Sequence, residues 1–159
     1  MSQPELNIKL NKKAPNFKLS ATGDQTLSLA DFKGKNLVIY FYPKDNTPGC
    51  TTEGQNFRDL YEQFQALNTE ILGVSRDSVK VHTNFKAKHQ FPFELLSDGD
   101  EKMCTAYDVI KLKKLYGREY MGIERSTFLI DEQGKLRNEW RKVKVKGHAD
   151  EVLEAVKNL

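Results

Sequence analysis

The chain has 159 residues, enough for one ordinary domain and too few for two with a linker, so a single domain over 1–159 is expected. Hydrophobic residues at 38% and charged residues at 30% argue against disorder, and a net charge of +3 describes a mildly basic surface rather than a nucleic-acid footprint. The longest apolar run, within 36–42, is far short of the ~20 residues of a membrane span, and the polar start from Met1 to Lys13 holds no apolar signal segment, so a cytoplasmic protein without a membrane partner is expected.

Phe17 and Leu19 alternate with polar residues, and Thr22-Gly23-Asp24-Gln25 turns the chain toward Thr26 and Leu27, which predicts a hairpin. Ser28 and Asp31 form a capping box for a single helical turn ending before Gly34. The run 36–42 predicts a strand buried on both faces. Pro43 stops it, 44–49 forms a loop, and a helix follows with Phe57, Leu60, Tyr61, Phe64 and Leu67 on one face. A strand over 70–75 completes a βαβ unit. A helix over 79–89, a short strand over 93–96 and the Ser97-Asp98-Gly99-Asp100 turn come next, with Asp100 as cap of a helix carrying Met103, Cys104, Tyr107 and Val109 or Ile110. Residues 111–120 read as a basic loop. Strands over 126–131 and 136–141 form an antiparallel hairpin around Gly134. The last helix presents Ala149, Val152, Leu153, Val156 and Leu159 on its apolar face, with His148 elsewhere. This order predicts an α/β sandwich of thioredoxin-like type: a central mixed sheet, flanking helices and an N-terminal hairpin extension.

Cys50 and Cys104 are the two cysteines. They are too few for a disulfide framework, and without a CxxC they suit neither a zinc ribbon nor a thioredoxin-type dithiol. His82, His89 and His148 lack metal-ligand spacing and read as surface or helix-end histidines, so no metal and no cofactor is expected. Cys50 stands at the start of a helix that follows a strand and a loop. There the positive helix end stabilises a thiolate, while a cysteine at that position is also a common small apolar filler. Thr47 sets a hydroxyl three residues before it, and Pro43 and Pro48 stiffen the loop.

Pro43-Lys-Asp-Asn-Thr47-Pro48-Gly49-Cys50, after Tyr40-Phe41-Tyr42, resembles the Pro-x-x-x-Thr-x-x-Cys signature of peroxiredoxins, and FYPKDNTPGCTTE is similar to their bacterioferritin-comigratory-protein or Q-type branch. Ordered matches extend the resemblance: Ala14-Pro15-Asn16-Phe17, residues 29–34, 72–75, 96–98, and Gly122-Ile123-Glu124-Arg125-Ser126-Thr127-Phe128-Leu129-Ile130-Asp131. The resemblance implies an AhpC/TSA-type thiol peroxidase for hydrogen peroxide and alkyl hydroperoxides. Cys50 would attack the peroxide and become a sulfenic acid. Thr47 would bond the peroxide oxygens, Pro43 would shield the pocket, and Arg125 would stabilise the thiolate and the charge developing on the peroxide. Gly49 would allow close backbone approach. Glu53 either holds Arg125 or is a carboxylate near a helix N-terminus, and Tyr42 packs beside the pocket or simply in its strand.

The branch often carries its second, resolving cysteine five residues after the first, where this chain has Gln55, or in the next helix, where residues 79–89 contain none. Cys104 is the remaining candidate, read first as core packing and second as a resolving thiol. A one-Cys mechanism is therefore expected, with thioredoxin or glutathione/glutaredoxin as the external reductant. The resemblance also implies a monomer with no nucleic-acid partner. Lysines in 111–118 and 141–146 read as a solvated loop and a solvated strand edge. The rival readings are a binding module on the same fold, disfavoured by a hydroxyl, a thiol and a guanidinium in one motif, and a thiol–disulfide oxidoreductase, disfavoured by the missing CxxC.

Overall fold

Asn36–Phe41 (β3) is apolar on both faces because it lies inside a seven-stranded sheet. The computed structural model describes residues 8–159, and the part of the polar start read for residues 1–7 lies outside them. The first hairpin pairs Lys18–Ala21 (β1) with Gln25–Ser28 (β2). A 3₁₀ turn at Leu29–Phe32 follows, where the Asp31 carboxylate accepts from the Ser28 N–H at 2.8 Å. After β3 come Pro48–Ala66 (α1), Thr69–Ser75 (β4), Val79–His89 (α2), Glu94–Ser97 (β5) and Lys102–Ala106 (α3). Ile110–Leu115 (β6) and Arg118–Ile123 (β7) form a separate hairpin. Ser126–Ile130 (β8), Leu136–Trp140 (β9) and His148–Lys157 (α4) close the chain.

The sheet runs β2-β1-β5-β4-β3-β8-β9. β3, β4 and β5 are parallel, so α1 and α2 are crossovers, and β8 returns antiparallel beside β3. Alternation along β3 divides the core. Leu37, Ile39 and Phe41 point to one face with Met103, Cys104 and Tyr107, while Val38, Tyr40 and Tyr42 point to the other with Cys50, Phe57, Phe64, Phe85 and Val152. The architecture is the thioredoxin-like sandwich with its N-terminal hairpin. Gly73 of β4 lets the sheet accept Tyr40, because a Cβ there would lie 3.0 Å from the phenol oxygen.

Six local expectations give way. The helix after Asp100 ends at Ala106 and does not reach Val109 or Ile110, because Ile110 already opens β6. Residues 111–120 are a β-hairpin, closed by the two-residue turn Tyr116-Gly117 with φ of 51° and 77°; lysines on both faces hide its alternation from a sequence pattern. Asp98 rather than Asp100 holds the start of α3, accepting from the Cys104 N–H at 2.7 Å and the Met103 N–H at 3.2 Å. Residues 141–146 lie beyond β9 and are no strand edge. Leu159 lies past α4 and is 41% exposed. His82 and His148 are buried, although His148 is a helix-end residue as expected, opening α4; each finds a side-chain partner inside, Asp45 for His82 and Thr127 for His148.

Candidate functional site

The loop between β3 and α1 emerges at the carboxyl ends of the parallel strands, the edge where open α/β sheets place ligands. Thr47 is the N-cap of α1 and Pro48 its first residue. The first helical bond runs from the Thr51 N–H to the Thr47 carbonyl at 2.9 Å, so the N–H groups of Gly49 and Cys50 precede the helical ladder and give this end its positive character. The Thr47 hydroxyl donates to the Lys44 carbonyl at 2.8 Å. Its proton is thus committed, and its lone pairs remain to accept from a bound O–H.

Cys50 is buried, at 2% exposure. Arg125, just before β8, donates from Nη2 to Sγ at 3.4 Å and from Nη1 to Glu53 Oε1 at 2.6 Å. Cys50 and Glu53 are one turn apart on α1, so a single planar guanidinium spans both. Gly49 gives it room, because a Cβ there would stand 3.1 Å from Nη2 and crowd the guanidinium. Glu53 is 1% exposed and its Oε2 has no hydrogen-bond partner. Burial pushes its carboxyl up to about 7, against the charge and hydrogen bond of Arg125, which pull it down.

Behind the loop lies a buried polar network. The Tyr42 hydroxyl donates to Asp45 Oδ1 at 2.6 Å, and Asp45 Oδ2 meets His82 Nδ1 at 2.6 Å. His82 Nε2 must carry a proton, since its partner at 2.9 Å is the Leu96 carbonyl. The contact with Asp45 therefore shares one further proton between carboxylate and imidazole. The Asp45 N–H donates to Asp77 Oδ2 at 2.9 Å, and that oxygen also accepts from the Ser75 hydroxyl at 2.6 Å. Asp45, Asp77 and His82 have the composition of a metal cluster, with ligand atoms within 4.8 Å of one another. Those atoms are engaged in the hydrogen bonds just described.

The structure thus brings together Cys50, Arg125, Glu53 and Gly49, and puts Thr47 and Pro43 on the same loop. Tyr42 is part of the network behind that loop. Cys104 lies on the other face of the sheet, 0% exposed, its thiol pushed far up by burial and by hydrogen bonding to Asp98. Sequence reasoning missed Asp45, Asp77 and His82; the one trace of His82 is its i, i+3 spacing to the buried Phe85. A groove of about 680 Å³ runs beside the start of α1, lined by Pro48, Gly49, Thr52, Leu60, Val145 and Lys146 among others.

The AhpC/TSA family model matches residues 10–139. The chain is 54% identical over 154 residues to peroxiredoxin Bcp of Bacillus subtilis, covering 97% of this chain and 98% of that protein. The Xanthomonas campestris bacterioferritin comigratory protein, whose structures address its alkyl peroxide reduction activity, superposes with a TM-score of 0.86 at 56% identity, over 89% of this chain and 90% of that one. A PrxQ from Xylella fastidiosa superposes with a TM-score of 0.91 at 47% identity, over 96% and 97% of the two chains.

Proposed function

The chain belongs to the AhpC/TSA family and is a peroxiredoxin, a thiol peroxidase, and from that premise we propose that Cys50 reduces hydrogen peroxide and alkyl hydroperoxides as a one-Cys enzyme. The observation that carries this reading is the Arg125 guanidinium 3.4 Å from Sγ at the amino end of α1. The thiolate attacks the terminal oxygen of the hydroperoxide, the O–O bond breaks, and the alkoxide leaves and takes a proton while Cys50 keeps the oxygen as a sulfenic acid. Charge moves from sulfur to the departing oxygen, and a fixed cation with helix N–H groups favours both ends of that path. The Thr47 hydroxyl oxygen accepts a hydrogen bond from the peroxide O–H, and Pro43 shields the sulfur from water. Glu53 holds Arg125. Leu60 and Val145 give an organic substituent an apolar wall in the groove beside Gly49, in keeping with the alkyl peroxide activity of the Xanthomonas protein.

The sulfenic acid then waits for an external thiol, with thioredoxin or glutathione/glutaredoxin as reductant, because Gln55 and α2 offer no second sulfur and Cys104 lies across the sheet. The working form is a cytoplasmic monomer, in a compartment that keeps thiols reduced. The test is the intact mass of reduced protein after one equivalent of peroxide. A gain of one oxygen that a small thiol reverses, absent from Cys50→Ser, is the expected result. Substantial peroxide turnover by Cys50→Ser overturns the assignment.

A further inference from the structure

Most of the exposed large apolar side chains among the described residues belong to one element, the β6–β7 hairpin: Leu112 at 58%, Leu115 at 55%, Tyr116 at 96%, Tyr120 at 44% and Met121 at 54%. Leu112 lies directly opposite Met121, so their side chains form a pair on one face. Tyr116 occupies the turn at φ 51°, a conformation that disfavours a bulky residue, and so presents its ring almost wholly to solvent. Lys111, Lys113, Lys114 and Arg118 surround these groups; Lys111 is paired with Asp108 at 3.0 Å and Lys114 with Glu119 at 3.5 Å, which leaves Lys113 and Arg118 as the surplus positive charge of the hairpin. The hairpin stands apart from the main sheet, which gives it no neighbouring strand to cover it.

Its position ties it to the site. β7 ends two residues before Arg125, and Arg76, which follows β4 at the catalytic edge of the sheet, donates to the Met121 carbonyl at 3.5 Å. Lys113 lies within electrostatic reach of Arg125, Arg76 and Cys50.

We propose that the β6–β7 hairpin is the docking surface for the protein dithiol that reduces oxidised Cys50. This rests on the one-Cys peroxidase reading. The partner has a nucleophilic thiol in an apolar surface that meets Leu112, Met121 and Tyr116, with carboxylates around it that meet the lysines and Arg118. Its thiolate attacks the Cys50 sulfenic acid, forming an S–S bond as the oxygen leaves as water. Its second thiol then attacks its own sulfur in the mixed disulfide, so that Cys50 departs as thiolate and the partner leaves oxidised. A chain whose own second cysteine lies across the sheet requires an external thiol, and the surface bordering the catalytic edge, both apolar and cationic, is of a kind that a protein rather than a small thiol would use.

The test compares the wild type with Leu112→Ser/Met121→Ser and with Tyr116→Asn, a residue that suits the positive φ of the turn and so spares the fold. Each protein is oxidised with one equivalent of peroxide, then reduced by dithiothreitol or by thioredoxin. Oxidation and dithiothreitol reduction are expected to be unchanged in both variants. Reduction by thioredoxin should fall at least about 10-fold, in line with the loss of a central apolar anchor, and should weaken with salt in the wild type. An unchanged thioredoxin rate in the variants overturns the proposal, as does a wild type that thioredoxin reduces no faster than dithiothreitol at equal thiol concentration. If the variants instead alter the light-scattering mass, or lose sedimentation with anionic vesicles, while keeping the thioredoxin rate, the hairpin serves self-association or a lipid surface and the proposal fails. Failure of Cys50 to oxidise in the wild type strikes the peroxidase reading itself and is seen before any reductant is added.

Discussion

Arg125 bonds the Cys50 sulfur and the Glu53 carboxyl with one guanidinium, and the ionised form of Glu53 is costly to keep, the residue being 1% exposed with Oε2 unbonded. Folding therefore favours its protonated form. The native carboxyl retains its proton up to about pH 7, while in the unfolded chain it ionises near 4.5, so the folded state binds the additional proton between those values. Stability accordingly falls as pH rises from about 4.5 to about 7 and then levels off. In Glu53→Gln this decline should vanish, and urea titrations at pH 5, 6 and 7 would reveal it; a variant with the wild-type slope shows that another group is responsible. Arg125→Ala should slow the single-turnover reaction with peroxide about 100- to 1,000-fold, the cost of losing one preorganised donor. An unchanged rate would mean that Arg125 does not act on the reacting atoms. At this scale the sequence was informative where a motif named the residue. It could not choose between the two readings of Glu53, because only the fold reveals that a guanidinium from a segment 72 residues away arrives at 2.6 Å.

Among the elements, α2 is joined to the loop between β3 and α1 by a buried contact, His82 to Asp45, whose side chains are both 0% exposed. Asp45, its side chain fully buried, in turn anchors Tyr42 just past β3, so it fixes the loop between Pro43 and Pro48 from behind. Replacing His82 with Leu leaves a buried carboxylate without its partner, and should destabilise the protein by about 3–5 kcal/mol. Urea denaturation checks this, and a loss below about 1 kcal/mol would show that Asp45 finds other compensation. The network was illegible in the sequence because its members come from a loop and two elements distant in the chain, and histidine spacing carries no sign of burial. The main strands and helices were legible, since 36–42 holds an unbroken apolar run and the α1 and α4 faces have clear periods. The β6–β7 hairpin was not, because Lys113 and Lys114 occupy opposite faces of β6 and leave no apolar stripe.

Over the whole molecule, the sheet acts as a partition between the two thiols. Cys50 packs with Tyr40, Tyr42 and Phe57 on the face covered by α1, α2 and α4, whereas Cys104 packs with Met103, Tyr107 and Phe41 on the other. A disulfide needs Cα atoms within about 7 Å, and here the inner strands with their ladders of hydrogen bonds stand between. Cys104 is further disabled as a nucleophile by burial and by its bond with Asp98, which hold the thiol in its neutral form. Under the one-Cys reading it only packs the core, so Cys104→Ala should cost about 1 kcal/mol of stability while leaving peroxide turnover with an external thiol at the wild-type rate. The same variant tests the partition through mass. Wild type and Cys104→Ala should both gain one oxygen from one equivalent of peroxide. A wild type that instead loses two hydrogens, in a reaction that Cys104→Ala cannot perform, would mean that the fold opens far enough for sulfur to cross the sheet, and the one-Cys reading would fall with it.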